Sequence, residues 1–200
     1  PGGAGEAAER AGEIPLLAGD LDGALPLAAQ VMVDARMLKK TVPAPQIDLA
    51  PLTIGIGPGF VAGVQVHVVI ESNWGARLGT VIREGAAEAY TGTPRKVEGL
   101  GVERYLYAPH GGTFRTERAL LEPIEAGDTA GWVERTPLKA LAGGILRGLA
   151  TSGLEVAKGA KLVEVDPTGD PDNCRGIASR PARIAEGVLE AIDAFRARLG

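Results

Sequence analysis

Four short stretches of this chain carry residue types that do chemistry. In Gly55-Ile56-Gly57-Pro58-Gly59-Phe60 closely spaced glycines follow an apolar run, so backbone N–H groups there can approach an anion. The spacing is not a dinucleotide fingerprint, because β-like residues follow Phe60 where a helix would start, and the Gly-Lys-Ser/Thr of a P-loop is absent. A sharp turn between two strands is the competing reading. Asp34-Ala35-Arg36-Met37-Leu38-Lys39-Lys40 leaves a second apolar run, at the kind of strand end where open α/β sheets place ligand groups. Asp34, Arg36, Lys39 and Lys40 suit an anionic cofactor there; solvated lysines are the alternative. Cys174, the single cysteine, sits in the polar turn Asp170 to Gly176, where Arg175 would favour a thiolate nucleophile, although a lone cysteine is more often a small buried hydrophobe. His67 faces away from Val66 and Val68, with Glu71 on its own face about 13 Å further on at strand rise, too far for a direct acid/base pair. With two histidines and one cysteine, neither a Ser/His/Asp order nor a metal-ligand cluster emerges. The candidate catalytic residue is therefore Cys174. The candidate cofactor-binding set is Asp34, Arg36, Lys39, Lys40, Gly55, Gly57, Gly59 and His67, with no metal ligands.

These residues need a scaffold, and composition says which kind. Among 200 residues, 29 glycines and 14 prolines against 4% aromatics favour many short strands and tight turns over a helical bundle. A net charge of −4 with interspersed signs and no basic stripe argues against nucleic acid as a partner. No apolar run approaches the roughly 20 residues of a membrane span, and the cysteine usage fits a reducing, cytoplasmic compartment. The chain begins Pro1-Gly2-Gly3 and carries no leader pattern, so an upstream part is expected to be missing. Ala4 to Ala11 reads as a helical tail. Strands are predicted at Ile14–Leu17, Val31–Arg36, Leu52–Ile56, Val64–Glu71 and Leu78–Ile82. Arg183 to Leu199 places Ile184, Val188, Leu189, Ile192 and Phe195 on one face of an amphipathic helix.

The strongest internal signal is a repeat. When the chain is slid along itself, 108–134 lies on 140–166 without a gap, bringing Ala108, Gly111, Gly112, Arg115, Gly127 and Val133 onto Ala140, Gly143, Gly144, Arg147, Gly159 and Val165. Two copies are too few for a solenoid, so they should clasp each other about a pseudo-twofold axis. The repeat resembles a biotinyl/lipoyl-type barrel-sandwich hybrid domain, whose halves open with Ala-Pro-x-x-Gly and close with Val-x-x-Gly. Here those elements are Ala108 to Gly112 and Ile124 to Asp128, then Ala140 to Gly144 and Val156 to Leu162. Carrier versions hold a modified lysine on the joining hairpin. Lys139 falls several residues past that point and has no methionine near it, so neither biotin nor lipoate is expected.

Taken together, Val33 to Pro45, Leu52 to Gly63, Val66 to Glu71, Gly79 to Gly85, Val163 to Pro167, Cys174 and Gly187 to Ile192 resemble the selenium-dependent molybdenum hydroxylase system protein family (YqeB type). The resemblance implies an accessory or maturation role for molybdenum hydroxylases of the xanthine dehydrogenase kind. It also implies a glycine-rich nucleotide-binding-like strand and helix ahead of the residues present, so that the first residues would complete a Rossmann-like unit.

The expected fold is β-rich α/β or α+β. It comprises a partial Rossmann-like region at 1–104, a pseudo-twofold barrel-sandwich hybrid at 105–167, and a C-terminal turn and helix at 168–200 packing back on the first region. The leading function is a maturation factor that binds a molybdenum hydroxylase client or its anionic cofactor, of molybdopterin or nucleotide type, within a homo-oligomer. The alternatives are sulfur or selenium transfer through Cys174, and an architectural oligomer without catalysis.

Overall fold

A computed structural model describes residues 29–39 and 41–200; the segments Ala4–Ala11 and Ile14–Leu17 and the residue Lys40 lie outside the described residues. The chain divides into two compact units, one running to Tyr90 and including Ser179–Gly200, the other spanning Thr91–Ala178. Residues 91–104 and 168–178 thus belong to the second unit. Among the described residues the architecture is β-rich α+β, with many short strands and one long helix. Among the described residues no helix is long and apolar enough to cross a membrane.

In the first unit β1 (Val31–Asp34), β2 (Leu52–Ile56) and β4 (Val68–Ile70) are parallel, and β5 (Val81–Ile82) closes the sheet antiparallel to β4, giving the order β1-β2-β4-β5. β3 (Val61–Ala62) and β6 (Gly85–Ala86) pair separately. Buried parallel strands read as continuous apolar runs, and every residue of β2 and β4 is buried. Their side chains alternate between two cores. Ile54, Ile56, Val68 and Ile70 face the helix α1 (Ser179–Arg196), while Val69 and Ile82 join Phe60, Ala62 and Val66.

Several elements are shorter or placed differently than the sequence pattern suggests. The Val64–Glu71 run is a strand only over Val68–Ile70, because Gly63, at φ +79°, turns the chain and donates to Val66 O. Leu78 to Thr80 form a turn through Gly79, so the regular strand is confined to Val81–Ile82, although Gly79 N–H still donates to Glu71 O. The first strand stops at Asp34, short of Arg36. The helix begins at Ser179, and its buried face is Ile184, Gly187 and Ala191 supported by Val188, Ile192 and Phe195; Leu189 is exposed. Gly187 lets the helix approach closely, since a Cβ there would lie 2.1 Å from Gly79 O.

The second unit contains β7 (Tyr105–Tyr107), β8 (Gly112–Arg115), β9 (Pro123–Ile124), β10 (Thr129–Val133), β11 (Thr136–Lys139), β12 (Gly144–Leu149), β13 (Glu155–Val156) and β14 (Lys161–Asp166). They build two four-stranded sheets, β11-β10-β8-β13 and β7-β14-β12-β9. Exchanging each strand for its counterpart in the other copy of the repeat converts one order into the other. The registers follow the same exchange: Glu155↔Thr113 and Val156↔Gly112 recur as Ile145↔Pro123 and Gly144↔Ile124. So do the cross-links, with Gly127 N–H donating to Ala140 O and Gly159 N–H to Ala108 O, each at 2.8 Å. Both sheets turn their apolar faces onto one core, in which Phe114 stands where the repeat puts Leu146, Leu106 for Leu138 and Val133 for Val165.

Gly144 adopts φ +147°, and a Cβ on it would lie 2.1 Å from Asp166 O, whereas a Cβ on Gly111 would meet nothing nearer than Val156 O at 3.5 Å. Gly144→Ala should therefore cost more than about 2 kcal/mol and Gly111→Ala within roughly 0.5 kcal/mol. Urea denaturation of the two variants measures the difference, and equal midpoints would refute the close-approach account.

Candidate functional site

The carboxyl ends of β1, β2 and β4 bring the Asp34 and Gly55 stretches into one neighbourhood. Asp34 is the register partner of Gly55, so the residues after each strand leave the sheet side by side. Asp34 is 7% exposed and accepts from Arg36 Nε at 3.0 Å, from Arg36 Nη2 at 2.5 Å and from Gln46 Nε2 at 2.8 Å. Burial works to raise its pKa, but the hydrogen bonds from Arg36 and Gln46 and the guanidinium charge outweigh it and hold the carboxyl below the usual aspartate value. Arg36, half exposed, is raised in turn by the same contact with Asp34. Gln46 is buried with its Oε1 unpartnered. Lys39 rests its Nζ 4.8 Å from the ring centre of Tyr90.

The glycine stretch reaches the same place, but its backbone is largely committed to packing. A Cβ on Gly55 would strike the Phe60 ring at 2.4 Å, one on Gly57 would meet Ser72 Oγ at 2.4 Å, and one on Gly59 would meet Thr41 O at 2.7 Å. The Gly57 N–H donates to Ile70 O, extending the β2–β4 ladder rather than facing a ligand. The nearby Met37 takes a left-handed φ of +52°, unusual for a side chain of that size and typical of sites where the surrounding structure imposes the backbone.

His67 lies apart from this cluster. It precedes β4, at the opposite end of the parallel ladder, where the Thr53 N–H donates to its Nδ1 at 3.1 Å and its own N–H donates to Thr53 Oγ1 at 3.0 Å. A backbone N–H can only donate, so Nδ1 is the acceptor and the neutral ring carries its proton on Nε2. The ring lines a cavity of about 560 Å³ with Gln30, Ile47, Asp48 and Pro51. Glu71 is fully buried and accepts the N–H groups of Asn73 and Glu88 at 2.8 Å each. Its carboxylate therefore holds two loops together.

Cys174 ends a short 3-10 turn, Pro171–Cys174, in the second unit and is partly exposed. Burial pushes its thiol above the ordinary cysteine value, Asp166, Glu164 and Asp170 add to the rise, and Arg147 opposes it. Arg175, expected from the sequence to favour a thiolate, instead pairs with Asp172 at 3.5 Å. Among the described residues no group of three or more His, Cys, Asp or Glu side chains is placed to hold a metal.

Sequence reasoning missed Gln46, Ser72 and Arg180. Arg180, on the first turn of α1, donates from Nε to Ser72 O at 2.7 Å and so reaches the end of β4. No local pattern announces it, because 108 residues separate the partners.

No family profile matches the chain. A sequence relative exists. The uncharacterized protein YqeB of Escherichia coli (strain K12) is 37% identical over 161 residues. The match covers 80% of this chain but 30% of the relative, so the chain spans less than a third of the length of the curated protein it matches. This agrees with a YqeB-type sequence and brings no activity with it. Solved structures with local likeness include an aspartoacylase family protein from Mesorhizobium loti (TM-score 0.30, 15% identity, 32% of this chain and 22% of that one). A succinylglutamate desuccinylase/aspartoacylase from Rhodobacter sphaeroides gives TM-score 0.31 and 25% identity over 36% of this chain and 23% of that one. Likenesses at that level assign no activity here.

Two outcomes test the electrostatics. Because the Asp34 pKa is lowered, the pair stabilises fully above the ordinary aspartate value and its contribution is lost as acid carries the pH down through the lowered one. Asp34→Asn should cost roughly 1–2 kcal/mol at pH 7 and shrink the stability difference between pH 7 and pH 3. An unchanged difference in urea midpoints would remove the pair from the account. For Cys174, the rate of iodoacetamide alkylation in the folded chain should inflect above the pH found for a free cysteine, and Asp166→Asn should bring that inflection down; an inflection below the free value contradicts the assignment.

Proposed function

We propose that the chain is part of an accessory or maturation factor for a molybdenum hydroxylase, in which the carboxyl end of the β1-β2-β4 sheet binds an anionic group of the client or of its cofactor. The observation that carries this reading is the convergence of the Asp34–Lys39 segment with the Gly55–Gly59 turn at one end of a parallel sheet, the end where ligands bind in open α/β sheets. Arg36 and Lys39 supply the cationic groups, and the orphaned Gln46 Oε1 supplies an acceptor for a ligand N–H. A molybdopterin-type or nucleotide ligand offers both kinds of group. Its phosphate would be held by side chains, since the Gly57 N–H is already donated to Ile70 O.

The correspondence of strands, registers and cross-links between the two copies of the repeat supports a barrel-sandwich hybrid for the second unit. The three parallel strands support a Rossmann-like remnant for the first, although their described crossovers contain a 3-10 turn at Ile47–Leu49 and no α-helix. The sulfur- or selenium-transfer alternative loses ground to the raised thiol pKa of Cys174.

Cells that make a molybdenum hydroxylase but lack the full-length protein should retain hydroxylase polypeptide and lose its activity. Restoration by the wild-type gene and not by an Arg36→Gln, Lys39→Gln double variant is the expected result. Full activity without the protein overturns the reading.

A further inference from the structure

We propose that the outer face of the β7-β14-β12 sheet in the second unit is an oxyanion-binding site, centred on Arg147, Lys161 and the buried Arg104, independent of the sheet end described above. Along β14 a bulge between Lys161 and Val163 interrupts the alternation of faces. Leu162, Val163 and Val165 therefore all enter the core, and Lys161 and Glu164 emerge on the same side. Three cations meet there on one carboxylate. Glu164 Oε1 accepts from Arg147 Nη1 at 3.0 Å and from Arg104 Nη2 at 3.4 Å, and Glu164 Oε2 accepts from Lys161 Nζ.

The positive charge is not used up by this contact. Asp166, further along the same strand, turns its Oδ1 to the Thr168 N–H and hydroxyl. Arg104 is 4% exposed, gives its Nη2 to Tyr105 OH at 2.7 Å, and has no partner for its Nε. An orphaned guanidinium N–H in so enclosed a place calls for an acceptor. Gly148 is the register partner of Glu164, and a Cβ on it would press to 3.2 Å of Glu164 Cβ, so the absence of a side chain there lets the Glu164 carboxylate stand among the cations.

The repeat supplies a control within the same molecule. Under the offset that carries 140–166 onto 108–134, Lys161, Glu164 and Gly148 become Thr129, Trp132 and Thr116, and Arg104 is answered by Thr136; only Arg147 is matched, by Arg115. The fold is built equally well without the cluster on that side. Glu164 itself displays the chemistry the site accepts, which is a carboxylate or a phosphate-type oxyanion bridging Arg147 and Lys161.

The test is an amide NMR titration of the whole chain, one arm with inorganic phosphate and one with acetate. At least one arm should saturate, with shifts concentrated at Tyr105, Gly148, Lys161 and Glu164, and the arm that saturates names the oxyanion class. Arg147→Gln and Lys161→Gln should each weaken that binding at least tenfold while the spectrum stays folded. Glu164→Gln, which removes the resident competitor, should tighten it. Failure of both arms to saturate, or Glu164→Gln binding no tighter than wild type, overturns the proposal and leaves the cluster as a structural ion network.

Discussion

Gly55 has no side chain, and the ring of Phe60 lies where one would be. That single contact lets the second face of the β2–β4 ladder be sealed by a residue from the turn that directly follows β2, and the same device recurs. Ser72 Oγ fills the place beside Gly57, the Asp166 carbonyl fills that of Gly144, and the Gly79 carbonyl fills that of Gly187. Close packing at near-crystalline density is reached here by bringing side chains and carbonyls directly against glycine backbone, in a chain with few aromatic residues to fill space. The high glycine content is thus a packing strategy, and the turns are only part of its use.

This explains why some of the molecule was legible in the sequence and some was not. The offset between 108–134 and 140–166 could be seen because it combines apolar positions with turn glycines, and both are needed to make Phe114 and Leu146 occupy equivalent places in one core. The strand at Leu52–Ile56 and the helix near Ile184 were legible through periodicity. What periodicity overstates is strand length around Gly63 and Gly79, where a positive φ ends the regular strand that the apolar pattern would continue. Contacts such as Arg180 with Ser72 carry no sequence signal at all, since only the folded sheet brings them together.

The candidate site shows the same division. Asp34, Arg36 and Gly55 were read as neighbours from the habit of parallel sheets, and register places the first and last side by side. That Arg36 spends much of its charge on Asp34, that the Gly57 N–H belongs to the ladder, and that His67 stands at the other end could be read only from hydrogen bonds. Cys174 is the clearest case. Neighbouring letters suggested an activating arginine, while burial and carboxylates from a strand and a turn decide its protonation.

Each sheet of the second unit draws strands both from residues before Glu134 and from residues after it. Neither half can complete a sheet alone. Phe114 and Ile124 of the first half share one core with Leu146, Leu162, Val163 and Val165 of the second, so that core is complete only when Lys161–Asp166 is in place. The interlock means that a boundary placed anywhere between Val133 and Lys161 would part at least one sheet from a strand that belongs to it.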